Sequence, residues 1–314
     1  MKNIGKKIII TLMITVLCFL STANTTATAS GTKFPLYHGS TRDTKFKPQK
    51  KLSKKERNQY FSNSAFIGNS IGKGLKMYFD SKGKGFLGNP LMLVQGCYSF
   101  YNDSQQGSEY QLTYQGKKMK AKDALAAAKV KRVFINMGTN DLWKPSPQVY
   151  DDYVKYIKGI RKQNPNVVIF IQGTTPMCSA KSKKYLNNDT IRDLNKRMEK
   201  YCSKHKDMYY IDISKGLTAV DGGLQKKYSS DGYVHMTMAG YQIWTDNLTA
   251  SVDKLILLEK NAAASVNIAI KSQSSEDYNT AQKWIQKLKS STVKQKLKAK
   301  LKQNSLEIND FFSL

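Results

Sequence analysis

Phe66-Ile67-Gly68-Asn69-Ser70-Ile71-Gly72 is the stretch from which the fold can be read. Apolar residues run into a glycine and a turn-forming asparagine, which describes a short buried strand that ends abruptly. A helix-like pattern follows over 71–80. The joint lifts a serine hydroxyl off the end of a sheet, beside a helix N-terminus whose first N–H groups have no intrahelical acceptor. That hydroxyl is either a nucleophile awaiting a base or simply the cap of the helix. Residue chemistry alone leaves both readings open.

Outward from this joint the same alternation repeats. Apolar runs at 65–68, 92–94, 133–136, 167–172 and 209–213 read as strands. Amphipathic stretches at 71–80, 122–129, 147–163, 190–206 and 237–260 read as helices, with Asp189 or Thr190 as a candidate cap. A small hairpin is expected over 110–119, around Gly116. Strand and helix in turn predict a parallel sheet covered on both faces, a three-layer α/β/α architecture. Ligands of such sheets sit beyond the carboxyl ends of the strands. Ser70, Asn140 in Gly138-Thr139-Asn140-Asp141, and His235 in Asp231-Gly232-Tyr233-Val234-His235 all fall there.

The chain has three histidines. His38 lies in a basic lead-in segment and His205 in a lysine-rich helix end, so His235 is the attractive general base. Ester hydrolysis also needs donors for the oxyanion. Candidates are the Asn140 amide, the Gly96 N–H in Gln95-Gly96-Cys97-Tyr98-Ser99 and the Ser70 N–H. Asn140 read as a turn residue and Gly96 as a tight bend are the plainer alternatives. Tyr98 and the run Asp141-Leu142-Trp143 lie close enough in sequence to shape a substrate groove, Trp143 either as a sugar platform or as an ordinary rim residue.

These blocks resemble the SGNH or GDSL hydrolases across roughly residues 62–258. Four short matches carry the resemblance: 66–70, the turn at Gly96, 138–141, and 231–241. It implies a flavodoxin-like fold with a five-stranded parallel sheet. It also implies Ser70 as nucleophile, His235 as base, and Ser70, Gly96 and Asn140 as oxyanion donors, with no cofactor. Family members cleave esters of lipids, simple acyl groups or O-acetylated sugars. Two positions depart from the pattern. Asn69 stands where the family has aspartate. The acid expected three residues before the histidine is Gly232, with Asp231 one residue further back. A longer loop could still bring Asp231 to the imidazole; otherwise a backbone carbonyl orients His235 in a Ser-His dyad.

Of the 314 residues, 40% are hydrophobic and the formal charge is +28, which favours anionic partners without specifying a fold. Lys2, Lys6 and Lys7, an apolar run over 8–20 and Ala27-Thr28-Ala29 read as an export signal over 1–29, or else a retained anchor. The expected product is secreted or cell-surface associated. A basic arm over 30–60, a hydrolase domain over 61–260 and a helical extension over 261–314 complete the predicted organisation. Eight lysines and no acidic residue lie between Asp277 and Glu307. That segment is either a solvated appendage or an anchor to an anionic cell-wall polymer. Specific nucleic-acid recognition is not expected, because no binding motif accompanies the charge. Nor is a metal site, because the histidines are scattered. The leading expectation is a secreted esterase that deacylates a carbohydrate or short acyl ester. The rivals are a lipid acylhydrolase and a non-catalytic binding module on a decayed hydrolase fold.

Overall fold

The computed structural model describes residues 46–311, with side chains through 303. The expected export signal over 1–29 and the first part of the arm, with Pro35 and His38, lie outside the described residues. The expected sheet is present. Strands β1 (Ser64–Gly68), β2 (Leu91–Val94), β5 (Arg132–Asn136), β6 (Val168–Gln172) and β7 (Met208–Ile211) pair in parallel, in the order β2-β1-β5-β6-β7. Strands β3 (Leu112–Tyr114) and β4 (Lys117–Met119) form the predicted hairpin.

β1 is buried along its whole length, as a central parallel strand must be. Register aligns Phe66 with Phe134, Phe134 with Phe170, and Phe170 with Tyr209. Their rings stack with centroids 4.8, 4.5 and 5.1 Å apart. Neighbouring side chains on one face of a sheet stabilise the pairing. A one-residue slip would turn this row of rings to the other face.

Helices α1 (Lys54–Phe61), α2 (Ser70–Ser81) and α7 (Met238–Ser272) belong to the layer over these rings. Phe61 and Phe79 pack on Phe66, and Tyr241 of α7 donates to the Ile71 carbonyl at 3.0 Å. A Cβ on Gly74 would lie 2.0 Å from the Tyr241 hydroxyl, so glycine is needed for this close approach. The contact draws the start of α7 against the start of α2. Helices α4 (Ala121–Ala128), α5 (Ser146–Gln163) and α6 (Asn188–Lys204) pack in series with one another. Ile67, Ile135 and Ile171 alternate with the aromatic row and face the opposite side of the sheet. The short helix α3 (Phe100–Ser104) follows β2.

Three expectations change in detail. The cap of α6 is Asn187, which accepts the Thr190 N–H at 2.9 Å, and not Asp189 or Thr190. The basic arm contains α1, closed by a reciprocal Ser53–Glu56 capping box. The last helix of the sheet layers does not stop at 260 but continues to Ser272. Among the described residues no helix is long and apolar enough to cross a membrane.

Beyond α7 come α8 (Ser275–Lys287) and α9 (Thr292–Phe311). Ala281, Ile285 and Leu301 close on Val266 and Ala269 of α7 in a second small core. The α8–α9 joint is fastened to the start of β7. Asp207 accepts from the Thr292 N–H and hydroxyl at 2.7 and 2.6 Å, and Lys289 donates to the Met208 and Cys202 carbonyls. This attachment lies at the amino ends of the strands, away from Ser70.

Candidate active site

Ser70 is the first residue of α2, and the cap is its neighbour: Asn69 Oδ1 accepts the Ile71 N–H at 2.9 Å. The hydroxyl is therefore released from capping, and its partner is the His235 ring, with Oγ 2.9 Å from Nε2. On the other side of the ring, Nδ1 lies 2.5 Å from Asp231 Oδ2. A carboxylate can only accept, so Nδ1 carries the proton and Nε2 is left to accept from Ser70. Asn69 is fully enclosed, and its Nδ2 has no partner among the described residues. An aspartate at this position would carry no such donor.

The four-residue offset between Asp231 and His235 is absorbed by the turn. Gly232 adopts φ +68°, a conformation open to glycine at little strain. Asp231 Oδ1 then accepts from the Tyr233 N–H at 2.8 Å and the His235 N–H at 3.2 Å. One carboxylate oxygen thus holds the loop while the other holds the imidazole. A bridge between Ser229 and Met236 and a Ser230 N–H bond to the His235 carbonyl close the loop behind it. Burial tends to raise the Asp231 pKa. The hydrogen bonds from the His235 ring and from the Tyr233 and His235 N–H groups outweigh it, so the carboxyl sits below its ordinary value.

The donors converge on the same rim. Gly96 begins a turn after β2, in which the Tyr98 N–H returns to the Gln95 carbonyl at 3.2 Å; the Gln95 N–H bonds the Gly68 carbonyl at the end of β1. No protein acceptor among the described residues takes the Gly96 N–H. Asn140 Nδ2 donates one hydrogen to the Tyr98 carbonyl at 3.0 Å. This fixes the amide and leaves its second hydrogen available.

Tyr98 itself is not a substrate contact. It is fully buried, with its hydroxyl bonded to Asp103 at 2.7 Å and 3.1 Å from the Tyr156 hydroxyl. Its ring packs inward because a phenol with two internal partners pays no desolvation penalty there. Only its backbone serves the site. Trp143, by contrast, is 64% exposed.

Asp141, expected beside the groove, has a further role as a clamp between loops. It is wholly buried, and its Oδ1 accepts the Phe100 N–H at 3.0 Å, so it ties the Asn140 loop to the Gly96 loop. Burial pushes its carboxyl up to about 7, against the Tyr101 and Phe100 N–H bonds and Lys144, which hold it down. The sign for stability follows. Below 3.8 the group is protonated in both folded and unfolded chains. Between there and about 7 only the unfolded chain releases the proton, so stability falls as pH rises through that window. A tenfold difference in proton affinity is worth about 1.4 kcal/mol. About three such steps separate the folded and unfolded groups, about 4 kcal/mol in all, so Asp141→Asn is expected to gain about 8 °C in Tm on wild type between pH 4 and pH 8, read by calorimetry. A constant difference across that range would contradict the assignment. Glu259, which burial raises to about 7, titrates in the same window in both proteins and cancels in the comparison.

A cavity of about 880 Å³ opens elsewhere, against Ser64 at the start of β1, Leu91 and Met92. It touches none of Ser70, Asn140 and His235 and is not the reaction site, whatever its size.

An α/β domain with a serine, an imidazole and a carboxylate in line at the carboxyl rim of a parallel sheet has the layout of a serine-dependent hydrolase. The chain belongs to the GDSL-like lipase/acylhydrolase family, whose model matches residues 66–243. The chain is also similar to several solved structures. A GDSL-like lipase from Bacteroides thetaiotaomicron is 16% identical (TM-score 0.47, covering 62% of this chain and 90% of that one). A carbohydrate esterase of family 3 from Talaromyces cellulolyticus is 15% identical (TM-score 0.45, 62% and 97%). A lipolytic G-D-S-L family member from Veillonella parvula is 20% identical (TM-score 0.42, 59% and 94%). A search of curated proteins finds no match.

Proposed function

We propose that the protein is a secreted serine ester hydrolase that removes short acyl groups, acetyl above all, from an acylated carbohydrate. The observation that carries this reading is the unbroken relay Asp231 Oδ2–His235–Ser70 Oγ, at 2.5 and 2.9 Å. His235 Nε2 takes the hydroxyl proton as Ser70 Oγ bonds the ester carbonyl carbon. The oxyanion accepts from the Ser70 and Gly96 N–H groups and the free Asn140 hydrogen. The C–O bond breaks as the imidazolium protonates the leaving alcohol. Water then gives a proton to His235 as its oxygen bonds the acyl carbon; the bond from that carbon to Ser70 Oγ breaks, the imidazolium returns its proton to Oγ, and the acid leaves. The family supports ester hydrolysis, and exposed Trp143 beside the oxyanion loop supports a sugar as the alcohol. The basic start and apolar run of residues 1–29 support export, and the lysines of α8 and α9 support retention on an anionic wall polymer.

The test is turnover of p-nitrophenyl acetate and of an O-acetylated oligosaccharide by wild type and Asn140→Ala. Removing one oxyanion donor should lower kcat by about 10²–10³-fold with KM changed far less. Equal kcat for the two proteins would remove Asn140 from the mechanism. No release of acetate from either substrate by wild type would end the hydrolase reading.

A further inference from the structure

A second cleft, of about 440 Å³, contains none of Ser70, Asn140 and His235 but reaches the chain segments that follow Gly96 and Asn140. Its near wall is made by the two loops that carry the oxyanion donors. Tyr101 follows the Gly96 turn and Trp143 follows Asn140, and Asp141 ties the loops together. Both rings stand out from the surface, Trp143 at 64% and Tyr101 at 57% exposure. The cleft is also basic: Lys120, Lys122, Lys144 and Lys155 line it against the carboxylates Asp103 and Asp152.

These charges are not equally available. Lys144 is paired with Asp152, and its Nζ lies 5.0 Å from the centre of the Trp143 ring. It holds the indole by a cation–π contact. Lys122 is engaged by Gln163 and Asp123. Asp103 is buried and committed to the Tyr98 hydroxyl and the Ala121 N–H. Lys120 donates to the Ser104 carbonyl at 3.0 Å and acts electrostatically on Asp103. Lys155 is exposed and has no partner among the described residues. One ammonium group, that of Lys155, thus faces the cleft without a carboxylate of its own, with Lys120 sharing Asp103, beside two exposed aromatic rings.

We infer that this cleft is a subsite for an anionic sugar unit of the substrate, so that the enzyme deacylates an acidic glycan. The inference rests on the ester-hydrolase reading and deepens it. Trp143, fixed by Lys144, offers its face to the C–H side of a pyranose ring. Lys155 meets the negative group, with Lys120 further along the same wall. Desolvated on one side by Phe100 and Tyr156, the cleft strengthens that attraction relative to an open surface. The shared chemistry is a carboxylate or phosphate carried on a sugar or polyol chain.

The experiment compares three acetylated substrates: an oligogalacturonate (carboxylate), a polyol-phosphate oligomer (phosphodiester) and a neutral xylo-oligosaccharide. KM for at least one charged substrate should lie about tenfold below that of the neutral one, and the gap should narrow as salt rises. The arm that retains it identifies the anion. Lys155→Glu should raise KM on that substrate by about fivefold or more with kcat changed far less, and Trp143→Ala should raise KM on all three. Binding is read separately by calorimetry, with the deacetylated charged oligomers and Ser70→Ala protein. Measurable binding of one of them that Lys155→Glu weakens supports the subsite, even if no acetate is ever released. Equal KM values for charged and neutral substrates, or binding of the charged oligomers indifferent to Lys155→Glu, would overturn it. Ser70-dependent turnover of p-nitrophenyl acetate would stand through that failure.

Discussion

Ser70→Ala should lower kcat/KM for p-nitrophenyl acetate by about 10⁴-fold while the protein remains folded. The size of the effect follows from the chemistry of the group removed. A serine hydroxyl is a weak nucleophile made competent by a neighbouring base, and no substitute stands in the site. Cys97, at the adjacent turn, is an exposed free thiol on the oxyanion loop, with no base bonded to it among the described residues. The residual rate would come from oriented water and the remaining oxyanion donors. The fold should be indifferent, because among the described residues the Ser70 side chain bonds only His235, and Asn69, not Ser70, caps α2. Circular dichroism and Tm would separate loss of chemistry from loss of structure. A decrease of less than tenfold would mean that another group attacks.

The second large effect is expected at Asp231. Asp231→Asn should reduce kcat by about 10²–10⁴-fold, because an amide can stabilise the wrong tautomer and offers no charge to the imidazolium. The carboxyl lies below its ordinary value in the folded protein, so it remains ionised through the neutral range. Its linkage to stability has the usual sign of a depressed acid. The stabilisation is present above the unfolded value of 3.8 and disappears as pH falls through the lower folded value. The same residue also holds the Tyr233 and His235 N–H groups, so Asp231→Ala should loosen the loop as well as slow the chemistry. Comparing the two variants separates these roles. If Asp231→Asn matched wild type, the dyad alternative with a backbone carbonyl would be the better account.

Much of this was legible because the strand ends are marked twice. The apolar runs stop at Gly68 and at Asn136, and each is followed by a residue whose chemistry needs an open rim: Ser70 and Asn140. Parallel order then places His235, at the entry to the last helix, on that rim without any knowledge of distances. Where the reading failed, the competing signals were local. Asn187, Asn188, Asp189 and Thr190 are all good caps, and only the backbone geometry chooses Asn187. Helix α1 was missed because it buries one residue, Phe61, and so has no apolar stripe, although Ser53 and Glu56 stand at capping-box spacing. Helix α7 overran its expected end because neither glycine nor proline interrupts 261–272. Tyr98 looked like a rim residue because it follows a glycine turn. Its burial depends on Asp103 and Tyr156, and the latter lies 58 positions away. The clamp role of Asp141 was equally hidden, since an aspartate after a strand end ordinarily reads as a solvated turn.

The central claim is that Ser70 Oγ is activated by His235 and becomes covalently acylated. Labelling with a fluorophosphonate, followed by intact-mass and peptide mass spectrometry, tests it most directly. The account predicts one adduct per chain, carried by the peptide containing Ser70, absent from Ser70→Ala and formed far more slowly by His235→Ala. An unlabelled wild-type chain, or an adduct that persists in Ser70→Ala, would contradict it.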